Sequence, residues 1–324
     1  MNRASPGADV AELLGRGDGY VRSGDDKSAM VFYQAALKSA QAARFVDQQT
    51  LERLRNAQAF IQKRAEDFQE ALEQAVAGAQ PHEERARLRL SHSLEMLKGE
   101  RQIFQQQPAA FYYPYLSQRQ FFEREEFDWV PAFEASTDLI RDELRAVLKE
   151  GANFQPYVEK DPDRPYRDFH GLNEDPSGTA LYLWKHGKPV EENARRFPST
   201  MAALERVPLT SFGSRTPDVL FSRLEPRAHI PPHTGILNCR LICHLPLIVP
   251  PGCWLRVGNE TRYWEEGKLL IFDDSMEHEA KNPSPELRII LLFDTWRPEL
   301  TLEERTGISA IFDAIDQFQG VPEG

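Results

Sequence analysis

The sequence predicts an α+β protein, with α-helices first and a strand-rich sandwich or jelly roll after them. Three observations carry that expectation. Residues 8–103 hold little proline and few β-branched residues, and are rich in Ala, Gln, Glu, Arg and Leu. Residues 219–296 break instead into short runs of branched apolar residues separated by turns. Between them lies an aromatic stretch punctuated by proline, from Pro108 through Phe111, Tyr112, Tyr113, Pro114 and Tyr115 to Trp129 and Pro131. The expected domains are 1–107, helical, and 108–324, the jelly roll.

Taken in order, the first elements are a helix pair. Gly17, Tyr20, Ala29, Tyr33 and Ala36, with Gly24-Asp25 between the helices, have the offsets of one tetratricopeptide repeat of about 34 residues. Small residues at Gly17 and Ala29 let the helices approach, and the tyrosines fill the groove. No second copy follows. Residues 45–77 and 82–107 read as further helices that cap the first pair. The region serves either as a docking surface for a partner or as a hairpin that only packs on the second half. Residues 108–136 read as a connector pressed onto an apolar surface. Residues 137–150 read as an amphipathic helix with Leu139, Ile140, Leu144, Val147 and Leu148 on one face, stopped by Gly151. Residues 153–178 read as a loop. Strands are expected at 219–224, 237–249, 253–257, 260–264, 268–273 and 287–296. Val257-Gly258-Asn259-Glu260 and Glu265-Glu266-Gly267 read as tight hairpins. Residues 298–319 read as a closing helix, opened by a capping box of Thr301 and Glu304.

Composition excludes several classes. With 39 Lys+Arg against 50 Asp+Glu the net charge is −11, and a general nucleic-acid binder needs a basic stripe. No apolar run approaches the roughly 18 residues of a membrane span. The N-terminal residues lack a secretion signal's apolar core. Three cysteines, an odd number, fit a reducing cytoplasm better than a disulfide scaffold.

The residues that could carry chemistry cluster late in the chain. His233 stands in Ile230-Pro231-Pro232-His233-Thr234-Gly235, where two prolines fix the backbone ahead of it. His278 follows 45 residues on (278 − 233) and Arg288 ten beyond that. Strand alternation puts Arg288 on one face with Ile290 and Leu292. A guanidinium stays charged, and burying it without a partner is costly. Asp294 is on that face too, but six residues away. Either a distant carboxylate or an anionic ligand must balance the charge. Cys239, Cys243, His244 and Cys253 are weaker candidates for zinc, because Cys243 and His244 are adjacent and point to opposite strand faces; the cysteines read as small core residues. His82 and His92 read as solvent-facing, His170 and His186 lack a partner pattern, and His229 reads as lying near the site's mouth. Trp184 and Trp264 read as core or rim aromatics.

His233-Thr234-Gly235, Asn238-Cys239-Arg240-Leu241, Gly258-Asn259-Glu260-Thr261, Trp264-Glu265-Glu266-Gly267-Lys268, Phe272-Asp273-Asp274-Ser275, Glu277-His278-Glu279 and Trp296-Arg297-Pro298-Glu299-Leu300 occur in that order. Together they resemble the aspartyl/asparaginyl β-hydroxylase family of iron- and 2-oxoglutarate-dependent dioxygenases. The resemblance runs over residues 183–305, with a fainter echo at 137–148. It implies a double-stranded β-helix in which His233 and His278 hold Fe(II) without a carboxylate ligand, Gly235 standing where most such oxygenases have Asp or Glu. It implies that Arg288 grips the distal carboxylate of 2-oxoglutarate and that Ser222 shares that grip. His244 then lies near the metal-side carboxylate, and Asp273-Asp274 organises the loop around His278. Two positions depart from the pattern. Ile242 stands where some relatives have Arg, so the near end of the cosubstrate is expected to be held less tightly, or by Arg240. Gly178 stands where the animal enzyme has a tryptophan lining that site. The animal enzyme also carries tetratricopeptide-type helices before its catalytic domain, so the helical region here is expected to help dock a peptide or small-molecule substrate. The implied reaction is hydroxylation of an Asp- or Asn-type β-carbon. The alternatives are the same chemistry on an acyl chain, chlorination through a halide at the Gly235 position, and a non-catalytic binding scaffold.

Overall fold

Helices form where the helix formers are densest. The computed structural model describes residues 6–43, 45–79, 82–151, 154–156, 178–213 and 215–319. The chain divides into two units, Met1–Gln102 and Ile103–Gly324.

In the first unit, α1 (Pro6–Ser23) and α2 (Asp26–Ala42) form a hairpin that turns at Gly24, whose φ is 77°. The Asp25 carboxylate caps α2 by accepting from the Ser28 N–H at 3.0 Å. At Gly17 the helices touch: a Cβ there would lie 2.4 Å from the Tyr33 ring. Leu14, Ala29, Tyr33, Ala36 and Leu54 form the core of this unit. α3 (Gln48–Ala79) runs for 32 residues, nearly the length of a whole repeat, so the helices after the hairpin do not continue that pattern. α4 (Glu84–Leu97) buries none of its side chains. The expected helix over 82–107 therefore ends at Leu97. Gly99 takes a φ of 76°, and Gln106 instead bonds within the second unit, to Asp273 at 2.6 Å.

The second unit starts with β1 (Phe121–Phe122), a 3₁₀ turn (Arg124–Glu126), α5 (Val130–Glu134) and α6 (Thr137–Lys149). α6 buries Ile140, Leu144 and Val147, while Leu139, expected on that face, is exposed. β2 (Gln155–Pro156), β3 (Gly178–Lys185), β4 (Lys188–Pro189), α7 (Glu191–Ala194) and α8 (Pro198–Leu204) follow. The loop expected at 153–178 lies mostly outside the described residues. Eight strands then complete the unit: β5 (Val219–Leu224), β6 (His229–His233), β7 (Arg240–Ile248), β8 (Trp254–Val257), β9 (Glu260–Tyr263), β10 (Leu270–Phe272), β11 (His278–Lys281) and β12 (Arg288–Trp296). The chain closes with α9 (Leu302–Gln319), where Thr301 and Glu304 exchange capping-box bonds at 2.8 and 3.2 Å, as the sequence predicts.

Those eight strands divide between two antiparallel sheets. The larger sheet has the order β1-β10-β7-β12-β5-β3-β2, with β4 on β3, and the smaller has β6-β11-β8-β9. This is the double-stranded β-helix, a jelly roll. Strand alternation gives the larger sheet two apolar faces. Leu181, Phe221, Leu245, Leu291 and Phe293 pack outward on α6 and α8. Ile242, Phe272, Leu255, Val257 and Leu292 pack inward between the sheets. The aromatic connector lies where the sequence puts it, with Phe111 and Tyr113 in one cluster with Trp296 of β12 and Phe312 of the closing helix.

Two details differ from the sequence reading. Val257 and Glu260 pair across Gly258, a true hairpin. Glu265-Glu266-Gly267 is not one: β9 and β10 lie in different sheets, so this turn is a corner. β6 and β11 were also not expected as strands, because one contains Pro231-Pro232 and the other is short and polar. The prolines are tolerated because β6 is the edge of its sheet.

The helical unit gives two opposite expectations. A Cβ at Gly15 meets nothing within 4 Å, so Gly15→Ala should stabilise it by about 0.5–1 kcal/mol. Gly17→Ala must displace the Tyr33 ring and should destabilise it by about 1–3 kcal/mol. Urea denaturation followed by far-UV circular dichroism resolves the two signs.

Candidate active site

The two histidines meet because β6 and β11 are neighbours. His278 pairs with His233 in register, and their ring centroids are 4.1 Å apart. From Ala280 to His278 is two residues on β11, but the partners Ile230 and His233 are three apart on β6. The extra residue is a β-bulge at Pro231-Pro232. It lets Ile230 and His233 both face the barrel interior, which plain alternation forbids. Each Nδ1–H donates to a carbonyl two residues back, His233 to Pro231 at 2.8 Å and His278 to Met276 at 3.0 Å. That assigns the lone pair to Nε2 in both rings, the form that ligates metals. Burial first, and the neighbouring His233 second, hold His278 down to about 3, so it is neutral at physiological pH.

A carboxylate fills the space beside Gly235. A Cβ at that position would lie 2.1 Å from Asp274 Oδ2, so no side chain fits there. Asp274 is held by the Arg240 guanidinium at 3.2 Å, and burial pushes it up to about 6. Arg240 also faces Asp294 at 3.7 Å. Arg240 therefore has two carboxylates of its own. Among the described residues no group of three or more His, Cys, Asp and Glu converges as a metal cage. A pair of imidazoles is what the site offers, and that donor set suits a divalent transition metal.

The loop into His278 is anchored by a buried ion pair. Arg297 meets Asp273 at 2.6 Å with both side chains at 0% exposure. The other Asp273 oxygen accepts from the Ser275 N–H at 3.0 Å and hydroxyl at 2.5 Å. Asp273 thus fixes the turn that delivers Met276 O and His278.

Arg288 lies deeper, at the start of β12, and is 1% exposed. Asp294 is spent on Arg240, and no carboxylate pairs with Arg288 among the described residues. Its Nε has no hydrogen-bond partner. Burial pulls it down to about 10, still a cation at neutral pH. Its guanidinium lies 4.9 Å from the centre of the Trp264 ring. Ser222 is opposite Ile290 and two residues from Leu224, the partner of Arg288, which makes it a diagonal neighbour. His244 lies between the ends of the site, with ring centroids 5.9 Å from Trp264 and 4.9 Å from Phe272, which in turn is 5.5 Å from His278. Burial, then Arg288 and His278, hold His244 well below its ordinary value. Its Nδ1 and the Trp264 Nε1 are also buried without partners. A barrel with a buried cation and these orphaned polar groups fits a small polar anion, because buried polar groups are ordinarily satisfied.

The remaining candidates separate from this cluster. Cys243 packs on the outer face and His244 points inward, so they form no joint site. All three cysteines are buried, and Cys253 contacts Asn282 at 3.2 Å. His229 is exposed and bonds Glu279 at 2.7 Å. His170 lies outside the described residues. Ile242 packs into the inner core, and a Cβ on Gly178 would meet open space. The orphaned Trp264 was read only as a core or rim aromatic. Its place between Arg288 and His244 comes from barrel closure, which sequence spacing does not show.

A model of the Aspartyl/Asparaginyl beta-hydroxylase family matches residues 134–298. The chain is 38% identical over 183 residues to the human protein named aspartyl/asparaginyl beta-hydroxylase, covering 56% of this chain and 23% of that one. It is 34% identical over 175 residues to the ornithine lipid ester-linked acyl 2-hydroxylase of Rhizobium tropici, covering 53% of this chain and 58% of that one. The chain thus spans about a quarter of the human relative. A solved structure, the Cnp3 cupin domain of Schizosaccharomyces pombe, aligns with 46% of this chain and 75% of its own at 8% identity and a TM-score of 0.27.

Two substitutions test this arrangement. Arg288→Met removes a buried, uncompensated charge and should stabilise the ligand-free protein by about 1–4 kcal/mol, read as a higher melting temperature. Asp273→Asn breaks the buried pair with Arg297 and should cost about 3–5 kcal/mol, read by urea denaturation.

Proposed function

The chain belongs to the aspartyl/asparaginyl β-hydroxylase family, and from that premise we propose that it is an Fe(II)- and 2-oxoglutarate-dependent dioxygenase that hydroxylates an Asp- or Asn-type β-carbon. The observation that carries the reading is Arg288, a buried guanidinium with no carboxylate partner among the described residues, in the same barrel as the paired His233 and His278. In this reading His233 and His278 hold the metal through Nε2. Arg288 and Ser222 hold the distal carboxylate of the cosubstrate, and His244 lies beside its metal-side end. Arg240, engaged by Asp274 and Asp294, acts on the near end through Asp274 rather than as an unopposed cation.

When bound, iron and 2-oxoglutarate supply the oxidising chemistry, in which dioxygen and the ketoacid yield succinate, carbon dioxide and a hydroxylated substrate. The chain's own part is positional. The Pro231 and Met276 carbonyls orient the two imidazoles. The inward apolar residues Ile242, Phe272 and Leu292 exclude water from the reacting carbon. Arg288 fixes the cosubstrate at one end so that its other end meets the metal in one orientation.

The relatives named aspartyl/asparaginyl beta-hydroxylase favour an Asp- or Asn-type substrate in a peptide or small molecule. The acyl 2-hydroxylase relative favours an acyl chain as the second reading. The helical first unit serves as a docking element for substrate, in the manner of a partner-binding hairpin. Three unpaired cysteines support a reducing compartment, the cytoplasm; among the described residues no helix is long and apolar enough to cross a membrane.

The test is direct. Anaerobic addition of Fe(II) and 2-oxoglutarate should give a visible charge-transfer band. In air, candidate peptides or acyl lipids should gain the mass of one oxygen as succinate forms. His278→Ala should lose the band and at least 100-fold of the succinate while keeping its circular dichroism spectrum, about the scale expected when a metal ligand goes. No band and no succinate from the wild-type protein would end the proposal.

A further inference from the structure

Trp264 is the residue of the barrel that no role yet explains. It is 7% exposed, it follows β9 at the corner between the sheets, and its own N–H bonds Cys253 O at 3.3 Å. Its indole lies between two groups that the proposed function uses. The Arg288 guanidinium is 4.9 Å from the ring centre on one side, and His244 is 5.9 Å away, ring to ring. The indole Nε1 is buried and has no acceptor among the described residues. Buried Trp N–H groups nearly always find one, since leaving a donor unpaired costs the full desolvation of that group. The face and the edge of the ring do different things. The face attracts the cation, but a donor in the ring plane cannot reach a guanidinium, which has no acceptor. Among the described residues, then, the donor has no acceptor, and a ligand in the barrel would supply one.

Resting on the dioxygenase reading above, we propose that Trp264 is a cosubstrate-binding residue: its ring face seats the Arg288 guanidinium and its Nε1–H donates to a carboxylate oxygen of 2-oxoglutarate. Arg288, Trp264 and His244 then form one line of polar groups along the ligand. Only a compound with an acceptor at the end near Arg288 satisfies them, so a monocarboxylic 2-oxoacid should bind poorly.

The experiment measures 2-oxoglutarate binding by anaerobic calorimetry to the Zn(II)-loaded full chain, with no turnover involved. Trp264→Phe keeps a ring for Arg288 and removes only the donor, and its dissociation constant should rise about tenfold or more, the scale of one hydrogen bond to a charged group. Trp129→Phe is the control. Trp129 also has an orphaned Nε1, but it packs on the outer core, and its loss should leave binding unchanged. Arg288→Ala should abolish binding. A second measurement needs no variant at position 264 to fold. In the ¹H–¹⁵N spectrum of wild-type protein, the Trp264 indole signal, identified by elimination with Phe substitutions at the other four tryptophans, should move downfield on adding 2-oxoglutarate. If Arg288→Ala abolishes binding while Trp264→Phe binds within twofold of wild type, or the Trp264 signal stays still, the role of Trp264 is overturned and the dioxygenase reading stands. If the wild-type protein binds no 2-oxoglutarate, both fall.

Discussion

The pairing of His278 with His233 across β11 and β6 is the constraint on which the rest of the site depends. Strand pairing has a period of two, so a slip of one residue would turn one imidazole out of the barrel. The bulge at Pro231-Pro232 makes the observed register possible, because it puts Ile230 and His233 on the same face. Ile230 then packs on the inner core and holds the strand in place. The other partner is held by the turn before it, through Asp273, Arg297 and Ser275. Neither histidine depends on a flexible side chain for its orientation, since each Nδ1–H is tied to a carbonyl of its own strand or turn.

Charge inside the barrel is distributed with a purpose that emerges from its pairing. Arg240 and Arg288 are both buried. Arg240 has two carboxylates around it, and one of them, Asp274, occupies the room that Gly235 leaves. That placement explains the glycine physically: a larger residue would collide with a carboxylate that is itself fixed. Arg288 has no such carboxylate among the described residues. A fold selected for stability alone would replace it with an apolar residue of similar volume. Under the proposed function its burial is a cost that an anionic ligand removes by bringing its own charge.

Much of this was legible in the sequence, for identifiable reasons. β5, β7 and β12 are long and apolar on both faces, so composition marks them. α9 announces itself by Thr301 and Glu304, and α6 by its apolar spacing. Arg288 was visible because a charge between Ile and Leu residues breaks a strong pattern. β6 and β11 were hidden because Pro231-Pro232 and the polar run His278-Glu279-Ala280-Lys281 lack strand signals, and yet they carry both metal-ligand candidates. Their strand character comes from barrel closure and not from local propensity. The corner at Gly267 was misread for the same kind of reason: a turn chooses its local geometry from its residues, but whether the next strand returns beside the last is decided by which sheet needs it. The end of α4 at Leu97 was missed because Gln102, Gln106 and Gln107 suit a helix, and only the buried Asp273 shows why Gln106 is drawn out of one.

The two orphaned groups beside Arg288 sharpen the argument about what the barrel is for. An apolar cavity lined by Leu, Ile and Phe would be stable when empty and would select for nothing. The barrel interior here instead brings a cation, an indole donor and a neutral imidazole into one row of contacts, from the start of β12 towards the paired histidines. Each costs free energy without a partner, and the costs fall together only when a single ligand meets all three. Affinity for that ligand is thus partly the release of desolvation already incurred on folding. Arg288 and His244 both lie against the Trp264 ring, so replacing any one of the three alters the surroundings of the others.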